Sequence, residues 1–168
     1  MKAKFLLLIF LSIQANAQVL PSWFTKVFIE KGLDKTYLIN QKLKPVFLQD
    51  DFNADKIEDV AVLVTDKRLK KKGILLIHGK SNEYYVLGAG NKLGDIDDFN
   101  WLDKWSVYKE KTAQETQFDK ETGDIIGGKE VKLSHHGILL EDYEDGGFLS
   151  GGIIYWNGKK YIWIHQGE

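Results

Sequence analysis

Apolar residues along this chain recur with two periods, and the shorter period dominates. Leu20, Trp23, Phe24, Val27 and Phe28 stand three and four residues apart, the stripe of an amphipathic helix. Pro21–Gly32 is therefore predicted to be a short helix, opened by proline and stopped by glycine. Beyond it, apolar residues come in short β-branched or aromatic runs bounded by turn formers, which predicts strands at Tyr37–Ile39, Val60–Val64, Ile74–Ile77, Glu83–Leu87 and Trp105–Lys109. Glu130–Glu141 continues the pattern, with Val131, Leu133 and His135 facing one way and Lys132, Ser134 and His136 the other. Thr112–Gly128 is polar, with a turn at Thr122-Gly123-Asp124.

Asn157-Gly158 between Ile153–Trp156 and Tyr161–Ile164 predicts a hairpin closed by a two-residue turn. That register pairs Ile154 with Tyr161. It puts Trp156 and Trp163 on the same face as that pair, as a candidate sugar-stacking platform or a surface covered by another layer. Ile153, Tyr155, Ile162 and Ile164 form the opposite face, expected to be buried. Together these elements predict an α+β fold: a mainly antiparallel β-sheet built from hairpins, with one short N-terminal helix.

One stretch carries candidate chemistry. In Asp51-Phe52-Asn53-Ala54-Asp55-Lys56-Ile57-Glu58-Asp59, oxygen-bearing side chains fall at the first, third, fifth and ninth places. Calcium takes six to eight oxygens at about 2.3–2.6 Å. Asp51, Asn53 and Asp55, with the Ile57 carbonyl and Asp59, would supply such a set. Repulsion among the carboxylates disfavours the empty loop, and a dication offsets it. An EF-hand needs glycine at the sixth place and glutamate at the twelfth, where this chain has Lys56 and Val62. The pattern D-x-N-x-D-x-x-x-D before an apolar strand instead resembles the calcium loops of FG-GAP/VCBS-type repeats, over Pro45–Val64 alone. The resemblance implies that the loop joins two antiparallel strands, here Pro45–Leu48 and Val60–Val64, and that its calcium is structural. Lys56 stands where that family has glycine, and so requires a left-handed backbone. Asp98-Phe99-Asn100 echoes Asp51-Phe52-Asn53 but has Leu102 at the fifth place.

The first residues change the picture of where the chain works. A basic Met1–Lys4, an apolar Phe5–Ile13 and Ala15-Asn16-Ala17 form a secretory signal peptide over residues 1–17. Residues 18–168 are then a single exported β-rich domain, periplasmic or secreted, with no membrane span. Without Lys2 and Lys4 the basic count falls from 23 to 21 against 24 acidic residues, a formal −3. That balance argues against nucleic acid as a partner. The chain has no cysteine, hence no disulfide framework.

No catalytic motif appears. Gly79-Lys80-Ser81 lacks the spacing and following helix of a phosphate loop. The long Gly88–Asp103 stretch offers Asp95, Asp97, Asp98 and Trp101 as a binding rim. The sequence thus points to a soluble, non-enzymatic exported domain with a calcium-binding hairpin loop, acting as a protein- or glycan-binding module. The alternative is a calcium-dependent hydrolase of cell-wall or glycan material, which needs carboxylates paired about 5–10 Å apart near the metal loop.

Overall fold

The computed structural model describes residues 19–167. The signal-peptide reading of residues 1–17 lies outside that range. The described chain opens with helix α1 (Ser22–Glu30) and a four-residue helical segment α2 (Leu33–Thr36). Strands β1 (Tyr37–Ile39), β2 (Phe47–Asp50), β3 (Asp59–Asp66), β4 (Lys72–Ile77) and β5 (Tyr84–Gly88) follow, then β6 (Lys104–Tyr108) and β7 (Thr112–Phe118). The chain closes with β8 (Ile125–Lys132), β9 (Gly137–Glu144), β10 (Gly147–Trp156) and β11 (Tyr161–Gly167). The architecture is mostly antiparallel β-sheet, and no helix among the described residues is long and apolar enough to cross a membrane.

The β-branched runs explain the centre. Strands β3 and β4 pair antiparallel and are buried on both faces, which is why their sequences read as continuous apolar runs. β5 extends the sheet beyond β4, while β1 and β2 both pair with the other edge of β3. Val60, Val62 and Val64 meet Phe24, Val27 and Phe28 of α1 on one side. Ala61, Leu63, Ile74 and Leu76 face the second sheet, ordered β11-β10-β9-β6, through Leu140, Ile154 and Tyr161. On that sheet's far side Ile153, Tyr155 and Ile164 are covered by Ala113 and Val131 of the β7–β8 hairpin. Helix, sheet, sheet and hairpin therefore stack as successive layers.

Several expectations need correction. The C-terminal hairpin pairs Trp156 with Tyr161 and Ile154 with Trp163, a register two residues away from the predicted one. The cause is Asn157, whose Oδ1 accepts the N–H groups of both Lys159 and Lys160 at 3.0 Å. That capture widens the loop to four residues. A shift of two preserves the faces, and both pack against other layers, with Trp156, Ile162 and Trp163 left half-buried. The Glu130–Glu141 strand is broken at Leu133–His136, because the Tyr155 hydroxyl takes the Ser134 N–H at 2.9 Å. His135 and His136 thus lie in a bend.

Gly151-Gly152 lets β10 sit close to both neighbours. A Cβ at Gly152 would stand 2.5 Å from Trp163 Cζ2 and 2.6 Å from the Ile164 carbonyl oxygen. Gly152→Ala is expected to lower stability by about 2 kcal/mol through overpacking. Urea unfolding measures this, and an unchanged midpoint would mean that both the indole and the β11 backbone give way.

Candidate functional site

The acidic loop spans the turn between β2 and β3, which pair from Phe47↔Val62 to Asp50↔Asp59. Its conformation follows from its own side chains. The Asp55 N–H donates to Asp51 Oδ1 at 3.1 Å and to Asn53 Oδ1 at 3.0 Å. The Lys56 N–H donates to Asp51 Oδ2 at 2.8 Å, and the Ile57 N–H to Asp55 Oδ1 at 2.9 Å. Short oxygen-bearing side chains make such bonds to backbone a few residues on. Ala54 and Lys56 are left-handed, with φ of 65° and 69°, at about 1 kcal/mol each. Phe52 is buried in the central core and anchors the loop, so the polar residues on either side of it are held over the sheet edge.

Asp59 lies at the base and is fully buried. Its Oδ2 accepts the Phe52 N–H and its Oδ1 the Gly79 N–H, both at 3.0 Å. One carboxylate therefore ties the start of the loop to the end of the β4 strand. Burial pushes its pKa up to about 7, the N–H groups of Gly79 and Phe52 pull it down, and the Asp55 and Asp51 charges push it up again.

Of the five proposed ligands, Asp51, Asn53 and Asp55 are gathered at the loop's inner side. Asp59 is below them, and Ile57 is bound through its N–H with its side chain exposed. Each ionised carboxylate oxygen has a second lone-pair site after accepting one N–H, so the donor set suits a hard cation. Among the described residues, no three carboxylate, imidazole or thiol side chains are already clustered as a metal site.

No family model, curated protein or solved structure matches this chain.

Sequence reasoning missed a buried polar cluster beneath the loop. His78 is 2 % exposed. Its Nε2 lies 2.7 Å from the Tyr161 hydroxyl, and Tyr85 and Trp156 pack around its ring. Burial lowers the His78 pKa and raises that of Tyr161, to which the Asp59 charge adds. The only signal in the sequence was a histidine directly after an apolar strand. His136 Nδ1 meets Asp50 Oδ1 at 2.7 Å, while His135 stacks on Tyr155 with centroids 4.5 Å apart. The two histidines thus have separate partners.

The expected binding rim divides. Asp97 pairs with Lys71, and Asp98 accepts the Lys72 N–H at 2.9 Å. Both are anchored at the Lys72 end of β4, five residues from Ile77, or about 17 Å along the strand. Asp97 and Asp98 are thus at the other end of the hairpin from the acidic loop. Phe99 is fully buried in the same core as Phe52, but Asp98 binds the distant Lys72 strand where Asp51 caps its own loop. Asp95 and Trp101 line surface hollows instead.

Proposed function

We propose that this chain is an exported α+β binding module whose acidic hairpin loop takes one structural calcium ion through Asp51, Asn53, Asp55, the Ile57 carbonyl and Asp59. The module recognises a protein or glycan outside the cytosol. The observation that carries the metal reading is convergence: Asp51 Oδ1 and Asn53 Oδ1 both lie within 3.1 Å of the Asp55 nitrogen. The same oxygens cap the loop's own N–H groups, and each keeps a second lone-pair site for a cation above the buried Asp59 carboxylate. The ion would supply positive charge where Asp51, Asp55 and Asp59 repel one another, and the loop residues would orient it. The export reading rests on residues 1–17, and the binding role on the aromatic groups near the surface at the Trp163 end of β11.

Thermal unfolding tests the metal. Extracellular calcium modules bind with Kd of about 10⁻⁴–10⁻³ M. With calcium at roughly fifty times Kd, linkage gives about 2 kcal/mol of added stability, a Tm rise of about 4–8 °C for a domain this size. No rise in millimolar calcium, or an equal rise in the Asp51→Ala/Asp55→Ala variant, would refute the assignment.

A further inference from the structure

The aromatic face of the C-terminal hairpin is covered by the first sheet along most of its length. At the Trp163 end the cover is a turn, where Leu93 and Ile96 exchange backbone hydrogen bonds. This turn leaves two hollows of about 510 Å³ and 270 Å³ on either side of a shared wall formed by Ile96, Trp163 and His165. Each is near or within the range of about 300–1,000 Å³ typical of small-ligand sites.

Their walls combine flat apolar surface with fixed polar atoms. Trp163 rests on Phe99, with centroids 6.2 Å apart and planes 29° apart, and Trp101 meets it edge-on at 6.3 Å. The indole is thereby held in place before any ligand arrives, which lowers the ordering cost of binding. Phe118 of β7 stands across the larger hollow, its ring edge-on to His165 at 5.0 Å. His165 Nδ1 accepts the Trp163 indole N–H at 3.4 Å. The remaining ring proton is then on Nε2, which is buried and has no partner. Asp95 lines the larger hollow and Asp142 the smaller.

An occupant must cover aromatic faces with C–H surface and donate hydrogen bonds to carboxylates. The geometry points to a saccharide site here, for a neutral oligosaccharide of two or three units. Sugar rings have apolar faces and a rim of hydroxyls that donate and accept, and aromatic rings offer the matching surface. A hydrocarbon chain would dehydrate Asp95 and Asp142 without compensation; an acidic sugar would be repelled by Asp142 in the smaller hollow, while Asp95 and Lys160 offset each other in the larger. A peptide strand would meet only part of the requirement, since its N–H groups are spaced along one line. This inference rests on the reading of the chain as an exported binding module and names the ligand class of its glycan branch.

The test titrates the purified protein with maltotriose, cellotriose and triacetylchitotriose, following tryptophan fluorescence and amide NMR shifts. At least one should bind with Kd of about 1 mM or tighter and shift resonances of Trp163 and His165. Trp163→Phe, Phe118→Ala and Asp142→Asn should each weaken it by roughly fivefold to tenfold. Phe118, which is exposed, and Asp142, which is half-buried, keep the test valid if Trp163→Phe fails to fold. Absence of binding by all three sugars, equal binding by all three groove variants, or binding only of an apolar peptide would overturn the site. If sugar binding persists while the calcium-dependent Tm rise is absent, the saccharide site stands and the metal assignment falls. The converse result removes the saccharide site alone.

Discussion

Asp59→Ala is expected to lower folding stability by roughly 3 kcal/mol at pH 7, more than loss of any other oxygen-bearing side chain in the acidic loop. Asp59 accepts the Phe52 and Gly79 N–H groups at 3.0 Å inside a site with no solvent access. Removing the carboxylate strands both donors, each at about 1–3 kcal/mol. Relief of the buried charge returns part of that loss, because the group is itself disfavoured in its ionised form. Asp51→Ala removes only bonds at the half-exposed rim and should cost about 1 kcal/mol. The ordering matters more than either number. Urea unfolding of both variants measures it, and a loss at Asp51 equal to that at Asp59 would place the loop's anchor at the rim.

The same carboxyl makes stability depend on pH. Burial raises it from the ordinary 3.8 to about 7. Between those values the folded chain holds a proton that the unfolded chain has released. Folding therefore takes up a proton, and stability falls as pH rises through this window. The contribution is fully present below about pH 4 and lost above pH 7, with an upper bound of roughly 4 kcal/mol. His78 and His135 oppose it: burial lowers both pKa values, so their contribution grows as pH rises through the histidine range. The difference between wild type and Asp59→Asn isolates the carboxyl. In EDTA, wild type should lose stability from pH 5 to pH 8 relative to Asp59→Asn. In saturating calcium the difference should shrink, since the cation takes the proton's place. A gap between the two proteins that stays flat with pH in EDTA would contradict the assignment.

Much of the strand framework was legible because burial on two faces imposes continuous apolar runs, as in Val60–Val64 and Ile74–Ile77. The acidic loop was legible for a different reason: alternate oxygen-bearing residues and a buried Phe52 are local requirements of one turn. The requirement at Lys56 was legible too, and its φ of 69° meets it. The β7–β8 hairpin was not, because it lies outermost and buries chiefly Ala113 and Val131. Its remaining positions are mostly Gln, Glu, Thr, Lys and Gly, with Phe118, Ile125 and Ile126 exposed, and no apolar alternation results. The break at Ser134 escaped notice because its cause, the Tyr155 hydroxyl, comes from twenty-one residues away. The Trp163 groove draws its walls from the Leu93–Ile96 turn, β7 and β11, and no single segment announces it. Asp97 and Asp98 read as binding groups only until Lys71 and the Lys72 N–H were found to hold them.

Calcium calorimetry on residues 18–168 at pH 7, beside Asp51→Ala/Asp55→Ala, tests the proposed metal loop most directly. The expected result is one site per chain with Kd of about 10⁻⁴–10⁻³ M, absent from the double variant. Heats indistinguishable from dilution, or the same isotherm in both proteins, would mean that these oxygens serve only to close their own turn.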